Sequence, residues 1–282
     1  MNILELIKEG LRIARTSRSL WLYGFFVGLG ALNSGNKGHV PAGPPPVHVP
    51  PHALTGATAL LAFAVLVLLA AGVFMYFVSA GALIEGVSRV RQARPQTVRD
   101  GWHDGLAHWG VLLRITIIYI AANVTSLGAL ATPALLALKF SGTPLAVTLA
   151  IPATLVAAPW LVTLYMWQAF ASRIAVLENR HAHDAIGKAR LFLHGRLLQG
   201  LKLIVAAVLG RLIVLAVGSI GLLAAAACVF VVLKIFGLAH AAAAVVTLGA
   251  VVLLPIVFIL VAISGTTQSS IWTIGYLTQG AK

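Results

Sequence analysis

Six uninterrupted apolar runs constrain the fold of this chain more than any other feature. They cover residues 20 to 35, 54 to 84, 110 to 138, 143 to 172, 203 to 233 and 241 to 263. Most exceed the about 20 residues that a helix needs to cross the hydrocarbon core of a bilayer. The alternating segments of about 10 residues that mark a membrane β-barrel do not occur in these runs. The sequence therefore predicts an all-α integral membrane protein with six transmembrane helices.

The basic residues indicate how these helices are oriented. Of the 20 lysines and arginines, only Lys37, Lys139, Lys234 and Arg211 fall on the far side or inside a span. The others fall on the side of the N-terminus: Lys8, Arg12, Arg15, Arg18, Arg89, Arg91, Arg94, Arg99, Arg114, Arg173, Arg180, Lys188, Arg190, Arg196, Lys202 and Lys282. The positive-inside rule then places both termini in the cytoplasm. We expect a multi-pass protein of the bacterial cytoplasmic (inner) membrane.

The inner segments also carry an amphipathic pattern. Apolar residues recur at helical spacing in residues 3 to 14, 97 to 109 and 182 to 197, with charged residues opposite. Thr97 followed by Asp100 is a capping-box signature, which marks a helix start. These patterns predict three interfacial helices that lie on the cytoplasmic side of the membrane. Each precedes a pair of spans, which suggests a threefold pseudo-repeat of one unit.

We interpret the chain as one polytopic membrane domain, residues 1–282. Residues 1–53 would hold an interfacial helix, the first span and a proline-rich outer loop. Residues 54–142 would hold spans 2 and 3 around an interfacial helix, and residues 143–239 spans 4 and 5 around another. Residues 240–282 would hold span 6 and a tail.

Two segments resemble a known group of proteins. They are "AVLENRHAHDAIGKARLFLHGR", with an acid and a small-residue helix from Glu178 to Arg190, and "LRIARTSRSLWLYGFFVG", with Leu20, Trp21 and Gly24 at the entry to the first span. Both are similar to motifs of uncharacterised bacterial six-span proteins akin to the membrane domain of glycerophosphodiester phosphodiesterases. The resemblance implies a membrane module without its own hydrolase, in a group whose function is largely unassigned.

Arg211 is the most informative single charge, because an arginine inside a span costs a few kcal/mol. About two turns into its span, it can reach lipid headgroups, pair with an acid such as Glu85, or serve a transport site. The last span ends in "SGTTQSSIWTIGY". Its polar groups must face protein or a cavity. They predict either interhelical hydrogen bonds or a polar cavity formed by Glu85, Thr267, Gln268 and Ser269 near Arg211.

Further residues are predicted to meet the membrane surface. Lys188, Arg190 and Arg196 of the third interfacial helix, together with Arg211, are candidates for contact with anionic headgroups or a ligand. Aromatic side chains with a polar tip favour the interface between lipid and water. On this ground the expected anchors are Trp21, Trp102, Trp109, Trp272 and Tyr276.

Histidines offer two weaker candidates for a metal site. His181 and His183 point to different sides of a helix, so they cannot share one ion there. His39, His48 and His52 lie among prolines of the outer loop, whose extended conformation favours a strap over metal capture. We therefore expect no metal and no cofactor, and leave open whether the loop histidines bind one.

No common enzyme motif is present: the sequence lacks G-x-S-x-G, HExxH and a phosphate-binding glycine loop. We expect a non-enzymatic membrane scaffold or accessory subunit that binds anionic lipid, a membrane protein complex, or both. The alternative is a transporter of a small solute or lipid through a cavity near Arg211 and Gln268. Expected partners are membrane lipids and other membrane protein subunits. The net charge of +13 is spread over span ends, so we expect no nucleic acid. The oligomeric state stays open.

Overall fold

The computed structural model describes residues 2–33, 56–140, 143–235 and 242–280. Its elements in chain order are α1 (Ile3–Thr16), a 3₁₀ turn (Arg18–Leu20), α2 (Trp21–Asn33), α3 (Gly56–Arg91), α4 (Val98–Phe140), α5 (Thr143–Leu177), α6 (Ala182–Leu193), α7 (Leu197–Ile235) and α8 (Ala242–Gly280). No strand occurs in these ranges. Helices dominate because an apolar segment in lipid must satisfy its backbone hydrogen bonds internally.

Five of these helices, α3, α4, α5, α7 and α8, are long and apolar enough to cross a membrane. This agrees with a multi-pass membrane protein. The first predicted span is described only to Asn33, where α2 has 13 residues. At 1.5 Å per residue this is about 20 Å, short of the about 30 Å of hydrocarbon. That this first predicted span crosses the membrane, which would bring the total to six, therefore stays a prediction.

The helices pack tightly at one end of the bundle, which we call the capped end. It contains α1, α6, the last part of α3 and α5, the first part of α4 and α7, and residues 261–279 of α8. The opposite halves are mostly exposed, and residues 58–73 of α3 are exposed around the whole helix. In a membrane such apolar surface faces acyl chains or other membrane proteins, so the exposed leucines and valines there need no internal partner.

Glycines allow α2 to lie directly against α8. A methyl group at Gly24 would collide with the Thr266 side chain and the Ala262 carbonyl, and one at Gly28 with the Val261 carbonyl. The Thr266 hydroxyl donates to the Ala262 carbonyl at 2.8 Å. The close approach brings α8 to the centre of the capped end.

The predicted interfacial helices are corrected in two respects. Residues 98–109 do not form a separate helix, because α4 continues without a break from Val98 to Phe140. The capping box at its start is confirmed: the Thr97 backbone N–H donates to Asp100 at 3.1 Å, and the Asp100 N–H donates to the Thr97 hydroxyl at 3.2 Å. Residues 98–109 are therefore the first part of a long helix, whereas α1 and α6 are separate short helices. The threefold repeat stays a prediction.

The second correction concerns what α1 and α6 cover. The apolar face of α1, Leu6, Ile7, Gly10, Ile13 and Ala14, is buried and packs mainly on α8. The apolar face of α6, with Ala185, Ile186, Ala189 and Leu193, is buried against α5 and α4. Both helices are amphipathic as predicted, but their apolar faces cover protein instead of lying on a bilayer. Gly195, in the left-handed region with φ 78°, allows the tight connection from α6 to α7.

Candidate anion-binding cavity

A cavity of about 450 Å³ lies where the capped end meets the exposed halves of the helices. Six helices contribute to its wall: α2, α3, α4, α5, α7 and α8. It is large enough for a small solute or a lipid headgroup, since ligand sites begin at roughly 300 Å³. We call it the arginine cavity, because the charged side chains in its described lining are Arg173 of α5 and Arg211 of α7.

The arginine cavity has an excess of positive charge. Among its described lining residues no aspartate or glutamate occurs beside Arg173 and Arg211. Two cations in an apolar environment repel each other and favour an anion between or beside them. A guanidinium is also the side chain best suited to bind phosphate or carboxylate, because its fork of N–H donors matches two oxygens.

Buried donors point in the same direction. Arg173 Nη1 donates to the Ala169 carbonyl of its own helix at 2.7 Å, and the guanidinium lies 5.6 Å from the centre of the Trp272 ring. Arg173 Nε and Trp272 Nε1 are buried without an acceptor among the described residues. Buried polar groups in proteins are nearly always hydrogen-bonded, so two such donors in one cavity wall call for an acceptor.

The rest of the polar wall comes from α4, α5 and α8. Gln268 and Ser269 of α8 line the cavity, as do Gln168 and Ser172 of α5. The Gln168 amide lies 3.5 Å from the Thr116 hydroxyl of α4, which links the two helices. These groups supply neutral donors and acceptors beside the arginines, the composition expected of a ligand site with a few polar groups in an apolar wall.

The structure separates the residues of the predicted polar cavity into two groups. Arg211, Gln268 and Ser269 do line one cavity. Glu85 and Thr267 are not among its lining residues. Glu85 lies 3.5 Å from Arg89, one turn later on α3. Thr267 is fully buried, with its side chain near Gly210 of α7. On α8 the cavity face is formed by Gln268, Ser269 and Trp272, and Thr267 lies on another face of the helix, against α7.

Arg173 is the residue that sequence reasoning missed. It follows directly on the apolar run 143 to 172, and the charge count treats it as one more cytoplasmic arginine. A signal was present: Tyr165, Gln168 and Ser172 recur at helical spacing before it, which marks a polar stripe on α5. That stripe is the α5 face that lines the cavity.

The three basic residues of α6 and its C-terminal turn lie elsewhere and contact their own chain. Lys188 Nζ is 2.6 Å from Glu178 Oε2. The Arg190 guanidinium lies 5.2 Å from the Trp167 ring centre, and Arg196 donates to the Gln279 carbonyl at 3.2 Å. They do not join Arg211 in one site, because they lie at the outer surface of the capped end.

Glu178 joins three helices there. Besides Lys188 of α6, it accepts a hydrogen bond from the Tyr276 hydroxyl of α8 at 2.7 Å. The Lys188 ammonium holds the pKa of the Glu178 carboxyl below its usual range, and the Tyr276 hydroxyl adds to this, while burial acts in the opposite direction. A second cavity of about 510 Å³ adjoins this group and is lined by Lys188, His194 and Arg196, among others.

The expected aromatic anchors fall into two groups. Trp102 and Trp109 are exposed at 36% and 37%, so they face the surroundings of the molecule. Trp272 and Tyr276 are only 2% and 8% exposed, so their assignment as interface anchors is wrong. Both pack on the fully buried Phe170, because the end of α8 is the centre of the capped end and not its rim. Trp21 is partly buried, and its indole N–H donates to the Ala14 carbonyl at 2.6 Å.

The histidine candidates remain open. Within the described residues, no group of three or more His, Cys, Asp or Glu side chains could hold a metal ion. His39, His48 and His52 lie outside the described residues.

No family model, curated protein or solved structure matches the chain. The resemblance to the membrane domain of glycerophosphodiester phosphodiesterases therefore stays an expectation, and the cavity has to be interpreted from its own chemistry.

Proposed function

We propose that this chain is a non-enzymatic multi-pass protein of the bacterial cytoplasmic membrane that binds an anionic solute or lipid headgroup in the arginine cavity and carries it as a transporter. The observation that supports this most directly is the pair Arg173 and Arg211 in one cavity wall that has no carboxylate among the described residues. Arg173 Nε and Trp272 Nε1, two buried donors with no acceptor in the described part of the chain, add to it. An anion that reaches both would satisfy them at once.

We favour a transporter over a scaffold that binds anionic lipid through the basic side chains of α6. The basic side chains of α6 have partners within the chain, which reduces what they can offer to headgroups. A scaffold also gives no reason for two arginines in a membrane cavity, since a charge inside a span costs a few kcal/mol and such residues usually mark a binding or transport site.

The test is binding of inorganic phosphate to the purified full-length protein. Phosphate replaces gluconate at constant ionic strength, and thermal stability is followed together with calorimetric titration. We expect a dose-dependent rise in melting temperature, because a ligand that binds only the folded state stabilises it. Arg173→Gln and Arg211→Gln should each weaken phosphate binding by about tenfold to a hundredfold, the equivalent of one charge-assisted hydrogen bond.

Arg114→Gln is the matched control. Arg114 is an exposed arginine of α4 outside the cavity lining, so its loss removes the same charge from the molecule. We expect wild-type phosphate binding from this variant. Equal weakening in all three variants would mean that phosphate responds to net charge, and the proposed site would be abandoned.

The proposed orientation is tested by cysteine labelling. Cys228, exposed on α7, is first replaced by serine. Cysteines introduced at Asn36 and at His181 should then react with an impermeant maleimide from opposite sides of the membrane, with His181 on the cytoplasmic side. Labelling of both positions from one side would contradict the six-span topology.

A further inference from the structure

We infer that the ligand of the arginine cavity is an amphiphile with a phosphate-type headgroup, which enters from the membrane between α5 and α7. The inference rests on the proposed function and adds the substrate class and the route. It follows from what forms the rest of the cavity wall and from where that wall is open.

The rest of the cavity wall is largely apolar. Val27, Phe77, Ile84 and Leu112 line the same cavity as the arginines. A free inorganic anion gains nothing from contact with such side chains. An amphiphile can place the apolar part next to its headgroup against these side chains while the rest of its chains stay in the membrane.

The opening lies between α5 and α7. A small side pocket of about 70 Å³ continues the cavity there, formed by Tyr165 of α5, Val208 and Ile204 of α7, and the end of α8. Tyr165 and Val208 line both spaces and are nevertheless 45% and 52% exposed. Among the described residues, α5 and α7 do not pack along each other, whereas each packs closely on another helix. The surroundings of these two side chains are lipid if α5 and α7 span the membrane.

The opposite route, from the capped end, is filled. Phe170, Ile174 and Leu203 are almost fully buried between the arginine cavity and the covering helices α1 and α6. An anion arriving from that side would have to displace packed side chains. A lipid that slides its headgroup inward past Val208 needs no such movement and leaves its chains in the membrane.

The experiment compares three probes on the purified full-length protein: dioctanoyl phosphatidic acid, inorganic phosphate and dioctanoylglycerol. We expect dioctanoyl phosphatidic acid to bind at least tenfold more tightly than inorganic phosphate, and dioctanoylglycerol to bind at least tenfold more weakly than dioctanoyl phosphatidic acid. Val208→Trp should weaken binding of dioctanoyl phosphatidic acid at least tenfold, and by a clearly larger factor than it weakens binding of inorganic phosphate, which has no acyl chains to pass Val208. Val205→Trp is the control, since Val205 is an exposed α7 valine outside the cavity lining.

A photoreactive diazirine at the chain end of the same phosphatidic acid gives a second readout. Labelled peptides should come from α5 around Tyr165 and from α7 around Val208. Three results overturn the inference while the proposed anion site stands: equal affinity for phosphate and phosphatidic acid, equal weakening of both probes by Val208→Trp, or labels confined to other helices. If no probe that carries a phosphate binds the wild-type protein, the proposed function fails as well.

Discussion

The contacts of Glu178 lead to a quantitative prediction about α6. This carboxylate, directly after α5, accepts hydrogen bonds from Lys188 of α6 and Tyr276 of α8. It therefore ties the short helix to two long ones. Replacing it with alanine removes both bonds, and replacing it with glutamine keeps an oxygen for the tyrosine while it removes the charge.

The two replacements should differ in cost. The ion pair with Lys188 is partly exposed, with 42% and 34% of the two side chains accessible, so it contributes about 0.2 to 1 kcal/mol. Tyr276 is 8% exposed, and a buried hydroxyl that loses its acceptor costs about 1 to 3 kcal/mol. We therefore expect about 2 kcal/mol for Glu178→Ala and less than about 1 kcal/mol for Glu178→Gln.

Hydrogen exchange of the α6 amides measures this cost directly. A change of about 2 kcal/mol in the opening free energy lowers protection about 30-fold. Asp184→Asn, which removes an exposed acid from the first turn of the same helix, is the control for charge and should change protection only a few-fold. If Glu178→Ala lowers α6 protection less than threefold, the helix is held by its apolar face alone and the reasoning is refuted.

Three further predictions concern the same end of the molecule. The pKa of Glu178 is lowered in the folded state, so its contribution to stability is complete above the ordinary glutamate range and is lost as the pH falls through the lowered pKa. The protection factors of the α6 amides, each taken relative to the intrinsic exchange rate at that pH, should therefore fall in acid, and Glu178→Gln should abolish that pH dependence. Ile186→Asp places a charge in the buried face of α6 and should lower the melting temperature strongly. Leu191→Asp, at a position 78% exposed, should leave the melting temperature nearly unchanged. The same is expected when glutamine replaces His181, His183 and His194 together. Gly24→Leu should destabilise the protein by about 1 to 3 kcal/mol or more in denaturant titrations, because the side chain collides with Thr266 on α8, whereas leucine at Gly72, where a methyl group meets no neighbouring atom, should be tolerated.

Much of the architecture follows from the sequence alone. An apolar run of more than about 20 residues can only be a helix in lipid, so α3, α4, α5, α7 and α8 are evident without any knowledge of their neighbours. The amphipathic spacing of α1 and α6 predicts which side chains are turned inward, and Ala185, Ile186 and Ala189 are indeed buried. The Thr97 and Asp100 pair marks the start of α4, because a capping box depends only on residues three apart.

What covers an amphipathic face cannot be obtained this way. The pattern of α1 is the same whether its apolar stripe meets lipid or α8, since both are apolar; only the packing of Gly10 against Ile271 decides it. For the same reason, the chemistry of Trp272 and Tyr276 predicts a position at the membrane surface, whereas the structure has both in the core of the capped end.

The sequence identifies some polar residues of the cavity but not which residues meet there. Arg211 and Gln268 are conspicuous because each is polar within an apolar run, and composition is enough to single them out. Which partners share their space depends on helix rotation and on helices distant in sequence. Thr267 faces α7 instead of the cavity, Glu85 lies beside Arg89, and Arg173 belongs to the polar stripe of α5 that lines the cavity. Local chemistry determined that polar groups must be sheltered within the bundle, and only the tertiary packing decided which of them meet, because contacts between distant helices are set by the burial of all their faces together.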